Sequence, residues 1–74
     1  MSDPQQAQRH VLDALRDHFD RTPEQLDVSK IMEMTGLDEA TVQNALRRLY
    51  ETGRIDGVTV AELHHPAQVT GVLD

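Results

Sequence analysis

Cysteine is absent from this chain of 74 residues, and its only aromatic residues are Phe19 and Tyr50. Without cysteine, neither disulfide bonds nor thiolate metal ligands can stabilise the fold. A chain of this length is close to the lower limit at which a hydrophobic core suffices without such help. The core must therefore be built from aliphatic side chains.

Long apolar segments are also absent. No apolar run approaches the roughly 20 residues that span a bilayer, and the N-terminal MSDPQQAQRH lacks the basic and apolar regions of a signal peptide. We therefore expect a cytoplasmic chain that forms a single domain over residues 1–74 and has no membrane partner.

Catalytic motifs are missing as well. Ser2 and Ser29 lie in no nucleophile motif, and the sequence contains no glycine-rich phosphate loop. The acidic residues fall at helix caps and on solvent-facing positions, where they have ordinary structural roles. We expect neither enzymatic activity nor a cofactor.

Positive charge is scarce and unevenly distributed. The net charge is −6, and residues 56–74 contain three acids but no Lys or Arg, whereas residues 27–55 contain five acids and four bases. Because proteins dedicated to nucleic acids usually carry a basic surface, the sequence predicts at most a small basic area on an acidic molecule.

The first helix is predicted from its cap and its periodicity. Asp3 can cap it, Pro4 fits the first helical position, and apolar residues recur at helical spacing as far as Phe19. Its charged residues are assigned to the solvent side: Arg9, Asp13, Arg16, Asp17 and Asp20. This side is either a docking face or a solvated surface, and we favour the solvated surface. The following Thr22, Pro23 and Gln25 repeat the cap arrangement and predict a single short helical turn.

Two further helices follow, separated by a tight turn. A brief extended segment is expected at residues 26–28, and Asp27 can cap a second helix that ends near Thr35. Gly36 suits the left-handed conformation that terminates helices, and Asp38 can cap a third helix ending near Thr52. That helix has four apolar residues on one side, which predicts its buried face: Val42, Ala45, Leu46 and Leu49.

The tail changes from helical to alternating periodicity. GVTVAEL places Val58, Val60 and Leu63 at strand-like positions, and QVTGVL forms a second such run. Pro66 lies between the runs in HHPA and, lacking a backbone donor, is assigned to a loop. The tail is predicted to be a two-stranded hairpin over about residues 55–73.

The segment VSKIMEMTGLDEATVQNALRRLYETGRIDGV resembles the winged helix-turn-helix family, and the likeness covers residues 27–63. GVTV and QVTGV are similar to small uncharacterised winged-helix proteins of actinobacteria. The resemblance is strongest in Thr35-Gly36-Leu37, in the four apolar residues of the third helix, and in Gly53 and Ile55. It implies an α+β fold of three helices followed by a short β-hairpin wing, with the helix-turn-helix at about residues 27–53.

Family members mostly bind double-stranded DNA, with the third helix in the major groove and the hairpin against the backbone. Carried over to this chain, the resemblance implies base contacts by Gln43, Asn44 and Arg47, residue types that can form paired hydrogen bonds with adenine or guanine edges. It further implies phosphate contacts at four positions: Lys30, Thr41, Arg48 and Arg54. The expected function is transcriptional regulation.

Some residues depart from the family pattern. Glu39 and Glu51 lie on or near the DNA-facing side of the third helix, and the wing carries Asp56 and Glu62 where the family commonly has Arg or Lys. Few cations give modest, salt-sensitive affinity, so a homodimer, a second basic module or a larger assembly is expected to strengthen binding. The alternative is a protein-interaction adaptor that keeps the fold without strong DNA binding.

Three other residues bear on these alternatives. Adjacent His64 and His65 seldom converge on one metal ion, and no metal site is expected; the pair could instead titrate near neutrality and give the wing positive charge at lower pH. Met34 falls where the family usually has a polar residue. If exposed it would suit a protein-binding patch, but packing under the hairpin or against the first helix is favoured.

Overall fold

The computed structural model describes residues 3–73, which form three helices and a three-stranded antiparallel sheet. In chain order the elements are α1 (Pro4–Arg21), β1 (Leu26–Asp27), α2 (Val28–Thr35), α3 (Glu39–Glu51), β2 (Ile55–Thr59) and β3 (Pro66–Val72). The predicted α+β class, with three helices before a hairpin, is confirmed.

Local capping chemistry determines where the helices begin. Each helix follows an aspartate whose side-chain oxygen accepts a backbone N–H of the first turn, as expected for an N-cap: Asp3, Asp27 and Asp38. Between α2 and α3 the chain turns at Gly36, whose φ of 73° is the left-handed conformation predicted for this position. The three caps and the glycine turn are therefore confirmed.

The segment between α1 and β1 differs from the prediction. Residues 22–25 contain no helical turn; instead Thr22 is extended and ends α1 by donating its backbone N–H to the His18 carbonyl. The Thr22 hydroxyl accepts the Glu24 N–H at 3.3 Å. Only four residues connect α1 to β1, so this capping leaves no room for a separate turn.

The sheet has one strand more than the predicted hairpin. The brief extended segment, β1, pairs with β3 through Leu26 and Val69, so the strand order is β1-β3-β2 and β3 is central. Pro66 is not in the loop but is the buried first residue of β3, opposite Thr59. A strand's first position tolerates proline because no ladder donor is needed there.

The connection between β2 and β3 also differs. Val60 and Leu63 lie outside both strands, in a turn over residues 60–65 that we call the hairpin turn. Val58, although in β2, is 51% exposed. The alternating apolar pattern of this segment therefore does not correspond to buried positions.

The core lies between the helices and one face of the sheet. It combines α1, α2, α3 and all three strands through eleven buried aliphatic residues: Val11, Leu12, Leu15, Leu26, Ile31, Val42, Ala45, Leu46, Leu49, Ile55 and Val69. Among the helices, α1 packs more extensively against α3 than against α2. Within residues 3–73, no helix is long and apolar enough to cross a membrane.

Candidate nucleic-acid interface

The α3 helix divides its residues between the core and solvent. Its four predicted core positions are buried: Val42, Ala45, Leu46 and Leu49. On the remaining surface Asn44 and Arg48 are exposed, and Thr41, Gln43 and Arg47 are half-buried. The predicted inward face is confirmed, and α3 presents polar and cationic groups to solvent.

One side of this polar face borders α1. A depression between the N-terminal half of α1 and α3 is lined by Gln8, Thr41, Asn44, Arg47 and Arg48, above the buried Ala45 and Ala7. Four of the predicted site residues therefore share one concave surface.

A second depression continues along α1 towards the C-terminal end of α3. Its charged lining consists of Arg9, Asp13 and Arg16 from α1 and Arg54 from the turn after α3. Gln8 lines both depressions. We call the two together the α1–α3 groove.

The charge of this groove is opposite to that of the chain. Five arginines and one aspartate line it, while the rest of the chain contains two cations and twelve acids. The basic area predicted from the sequence is therefore larger than α3 alone, because arginines from α1 lie beside those of α3. A surface of one sign raises the local concentration of oppositely charged ligands.

The other side of α3 faces the hairpin turn. Here a smaller depression is lined by Gln43, Asn44 and Arg47 from α3 and by Glu62 and both histidines from the turn. The Arg47 Nε atom is buried and has no hydrogen-bond partner among residues 3–73. Burying an N–H without a partner costs free energy, so a ligand that accepts this hydrogen bond would offset that cost.

Two predicted contact residues have partners within the protein. Lys30 Nζ lies 3.7 Å from Glu33 Oε2 on the exposed surface of α2, and the Gln43 side-chain amide donates to Glu39 Oε1 at 3.1 Å. Both would have to exchange these partners to contact DNA. Asn44, Arg48 and Arg54 form no such side-chain bond within the described residues.

Arg54 is positioned by its backbone. Its N–H donates to the Leu49 carbonyl at 2.9 Å, and its carbonyl accepts the Leu73 N–H at 2.8 Å. These two bonds fix the residue between the end of α3 and the end of β3, which directs its side chain into the α1–α3 groove.

The sequence interpretation missed Gln8, Arg9 and Arg16 as site residues. Arg9 and Arg16 had been assigned to solvent, and both are exposed. Their seven-residue spacing places them on one side of α1. No sequence signal showed that this side borders α3, because that depends on how the two helices pack.

One titratable group of α3 has a shifted pKa. Hydrogen bonds from the Thr41 hydroxyl and the Thr41 backbone N–H lower the pKa of the Asp38 carboxyl below its ordinary value. The ionised carboxylate is therefore the form that caps α3. The cap holds the first turn of α3, which contains Thr41, in place.

His10 and His65 each contact a backbone carbonyl. Within residues 3–73, no group of three or more potential ligands is arranged to hold a metal ion. His10 Nε2 instead contacts the Thr35 carbonyl at 3.0 Å, linking α1 to the end of α2, and His65 Nδ1 contacts the Pro66 carbonyl at 3.0 Å.

Met34 does not adopt its favoured placement under the hairpin or against α1. It is 37% exposed near the end of α2. Its neighbour Met32 packs partly against the core. Because Met32 and Met34 are about 200° apart on a helix, only one of them can face the interior.

Comparison of this chain with family models, curated proteins and solved structures finds no match. The candidate interface therefore rests on its own geometry and chemistry.

Proposed function

We propose that this chain is a winged helix-turn-helix domain that binds double-stranded DNA and regulates transcription. The succession α2, Gly36 turn, α3 supports the helix-turn-helix, in which the second helix of the pair contacts bases. The β2–β3 hairpin following α3 supports the wing.

The observation that carries the proposal is the charge around α3. Its solvent side presents Asn44 and Arg48, with Arg47 half-buried beside them, and five of the chain's seven cations line the adjoining groove. Asparagine and arginine can form paired hydrogen bonds with adenine and guanine. A solubilising helix face would not require the cations to gather on one side of an acidic protein.

Each predicted site residue has a role in this proposal. Gln43, Asn44 and Arg47 contact base edges in the major groove, and Arg48, Arg54, Lys30 and Thr41 contact phosphates. Because Gln43 and Lys30 exchange acidic partners within the protein for DNA, their net contribution to affinity is smaller than that of Asn44 and Arg47.

The test is a titration of fluorescent duplex DNA by the protein, from low salt upward. Binding is expected at low salt, with an affinity that falls steeply as salt displaces the phosphate contacts. At a selected specific site, Arg47→Gln and Asn44→Ala are each expected to weaken binding by about 1–3 kcal/mol. Absence of duplex binding by the unmodified chain at low salt would refute the proposal.

Arg21→Gln is the matched control for Arg47→Gln. Arg21 lies at the far end of α1, outside the groove, and pairs with Asp17 at 3.2 Å. Its replacement removes the same charge without removing a proposed contact. Equal losses from both variants would mean that net charge, not the α3 face, accounts for binding.

A protein-interaction adaptor is the second candidate, and the hairpin favours it. Val58, Val60 and Leu63 are exposed there beside Asp56 and Glu62, with no Lys or Arg. Such a surface suits a partner that is apolar with a basic rim.

Capture of partners from lysate, with and without nuclease, separates the two functions. Partners that survive nuclease and are lost in a Val60→Ser/Leu63→Ser variant favour the adaptor. Partners that disappear with nuclease and persist in this variant favour DNA binding.

A further inference from the structure

We propose that Arg9 and Arg54 bind the phosphate backbone of the duplex that α3 contacts. Both arginines line the depression of the α1–α3 groove that lies towards the C-terminal end of α3. This inference rests on the proposed DNA binding and adds to it the direction in which the duplex extends. The backbone passes along α1, on the side of α3 opposite the hairpin.

Arg9 and Arg54 have positive charge available for an external anion. Within residues 3–73 neither Arg9 nor Arg54 forms an ion pair, whereas Arg21 and Lys30 pair with acids at 3.2 and 3.7 Å. A cation with no internal partner keeps its full attraction for an external anion. The groove's one carboxylate, Asp13, lies 3.9 Å from Arg16 and is partly neutralised by it.

Rigid backbone carries both arginines. Arg9 projects from the second turn of α1, and two backbone hydrogen bonds hold Arg54 between α3 and β3. Contacts from rigid elements lose less conformational entropy on binding than contacts from a mobile loop. The two guanidinium groups are thus carried on fixed supports on either side of the groove.

The two depressions of the α1–α3 groove are continuous. The depression with Arg9 and Arg54 adjoins the one with Arg47 and Arg48, and Gln8 belongs to both. A small anion would occupy one end only, whereas a polyanion can contact both. Arg9 and Arg16 are seven residues apart, roughly 10 Å along the helix axis, so the charged lining extends well beyond the size of one small anion.

The hairpin side offers no comparable surface. Its turn contributes Glu62 to the depression beside Arg47, and residues 55–73 contain no Lys or Arg. A phosphate backbone passing there would meet a carboxylate. The charges on the two sides of α3 therefore favour an asymmetric footprint displaced towards α1.

The experiment measures the slope of log affinity against log salt for duplex DNA with single variants. Arg9→Gln and Arg54→Gln are each expected to reduce the magnitude of this slope by about 0.9, the effect of one lost phosphate contact. Arg21→Gln lies on the same helix as Arg9 and removes the same charge, and it is expected to leave the slope unchanged. Arg9→Lys keeps the charge and should restore the slope.

The outcomes separate this inference from the function on which it rests. In one outcome the unmodified protein binds duplex and Arg47→Gln weakens binding, while Arg9→Gln and Arg54→Gln behave like Arg21→Gln. That outcome refutes the α1-side contact and leaves the proposed DNA binding intact. If the unmodified protein binds no duplex at low salt, both proposals fail. Binding of an acidic peptide in place of duplex would also refute this inference.

A proximity measurement tests the direction independently of affinity. Because the chain has no cysteine, Gln5→Cys provides a unique attachment point for a DNA-cleaving chelate at the edge of the groove, and Asp20→Cys provides one at the far end of α1. Backbone cleavage is expected from position 5 and not from position 20. Equal cleavage from both, or none from position 5 in a bound complex, would overturn the proposal.

Discussion

The α1–α3 side of this protein and its β2–β3 hairpin contain similar aliphatic residues but use them differently. Leu46 and Leu49 of α3 are sealed in the core, whereas Val58, Val60 and Leu63 of the hairpin remain exposed. The charges differ in the same way, because five arginines line the α1–α3 groove and none lies in the hairpin. The hairpin turn and Val58 before it therefore lack both the apolar burial and the positive charge of the α1–α3 side.

Under the proposed function, the contrast explains how a small acidic domain binds a polyanion. Acids in the remainder of the chain disfavour contact through its other faces, while the groove retains a local excess of cations. Because the hairpin contains no Lys or Arg, the proposal assigns phosphate contacts to the α1–α3 groove instead.

The largest predicted effect tests the difference in burial. Leu46→Ala, at a fully buried position, is expected to lower the free energy of unfolding by about 2–5 kcal/mol, because it removes apolar contacts and leaves a cavity. This loss is a large part of the total free energy of unfolding, which is roughly 4–11 kcal/mol for a chain of this length. Urea unfolding followed by circular dichroism measures it.

The matched control is Leu63→Ala in the hairpin turn. Leu63 is 40% exposed, so the same truncation is expected to cost only about 0.5 kcal/mol, as for most surface substitutions. Similar losses at the two positions would show that the hairpin turn is packed in solution.

The next effect concerns the close approach of β2 to β3. A Cβ added at Gly57 would lie 2.5 Å from the Gln68 carbonyl oxygen and 2.8 Å from the Pro66 Cβ. Gly57→Ala is therefore expected to destabilise the protein by about 1–3 kcal/mol through overpacking against backbone. The change in thermal midpoint provides the measurement.

Gly71→Ala is the control on the facing strand, since nothing lies within 4 Å of a Cβ added there and its φ is not left-handed. It should be close to neutral. If Gly57→Ala were equally harmless, the strands would have to shift at the register irregularity between Asp56 and Gly57 far enough to remove the close contacts of the added Cβ.

A smaller effect is expected from placing positive charge on the hairpin side of α3. Glu62→Lys places a cation beside Arg47 in the depression between α3 and the hairpin turn. Because a phosphate backbone would no longer meet a carboxylate there, the hairpin is expected to gain one phosphate contact that it lacks in the unmodified protein, which steepens the salt dependence of duplex binding by about 0.9 in log–log slope. Fluorescence anisotropy over a salt series detects it.

Asp20→Lys makes the same charge change at the exposed C-terminal end of α1, where no DNA contact is proposed. It is expected to leave the slope unaltered. If both variants steepened the slope equally, net charge would explain the gain and the hairpin would not face the duplex.

The smallest predicted effect is a pH dependence of the α3 cap. Because hydrogen bonding lowers the folded-state pKa of Asp38 below its ordinary value of 3.8, its ionisation stabilises the folded state above that value, and this contribution is lost as pH falls through the lowered folded pKa. Asp38→Asn can still cap the helix but does not titrate. The difference in unfolding free energy between the two proteins should therefore change only below about pH 4.

Asp20→Asn is the control, because Asp20 caps no helix and has no resolved hydrogen bond among residues 3–73. Within the acidic range below about pH 4, the unmodified protein should gain stability relative to Asp38→Asn as the pH rises. A difference that is constant over this range would contradict the lowered pKa.

Much of the fold could be predicted because its signals are local. The caps Asp27 and Asp38, the turn at Gly36 and the inward face of α3 each depend on residues within one or two helical turns. The short helical turn predicted at Thr22 does not form, because Thr22 instead caps the C-terminal end of α1. Pro66 was misassigned because proline suits both a loop and the first position of a strand.

By itself, the amino-acid sequence determined the three helices, their polar and apolar faces and the absence of cations from the hairpin, because periodicity, capping and composition act within a segment. The tertiary structure alone decided that β1 joins the sheet, that Val58, Val60 and Leu63 stay exposed, and that Arg9 and Arg16 lie in the same groove as the arginines of α3. These features depend on which faces of distant segments meet, and the packing of the whole core selects those contacts.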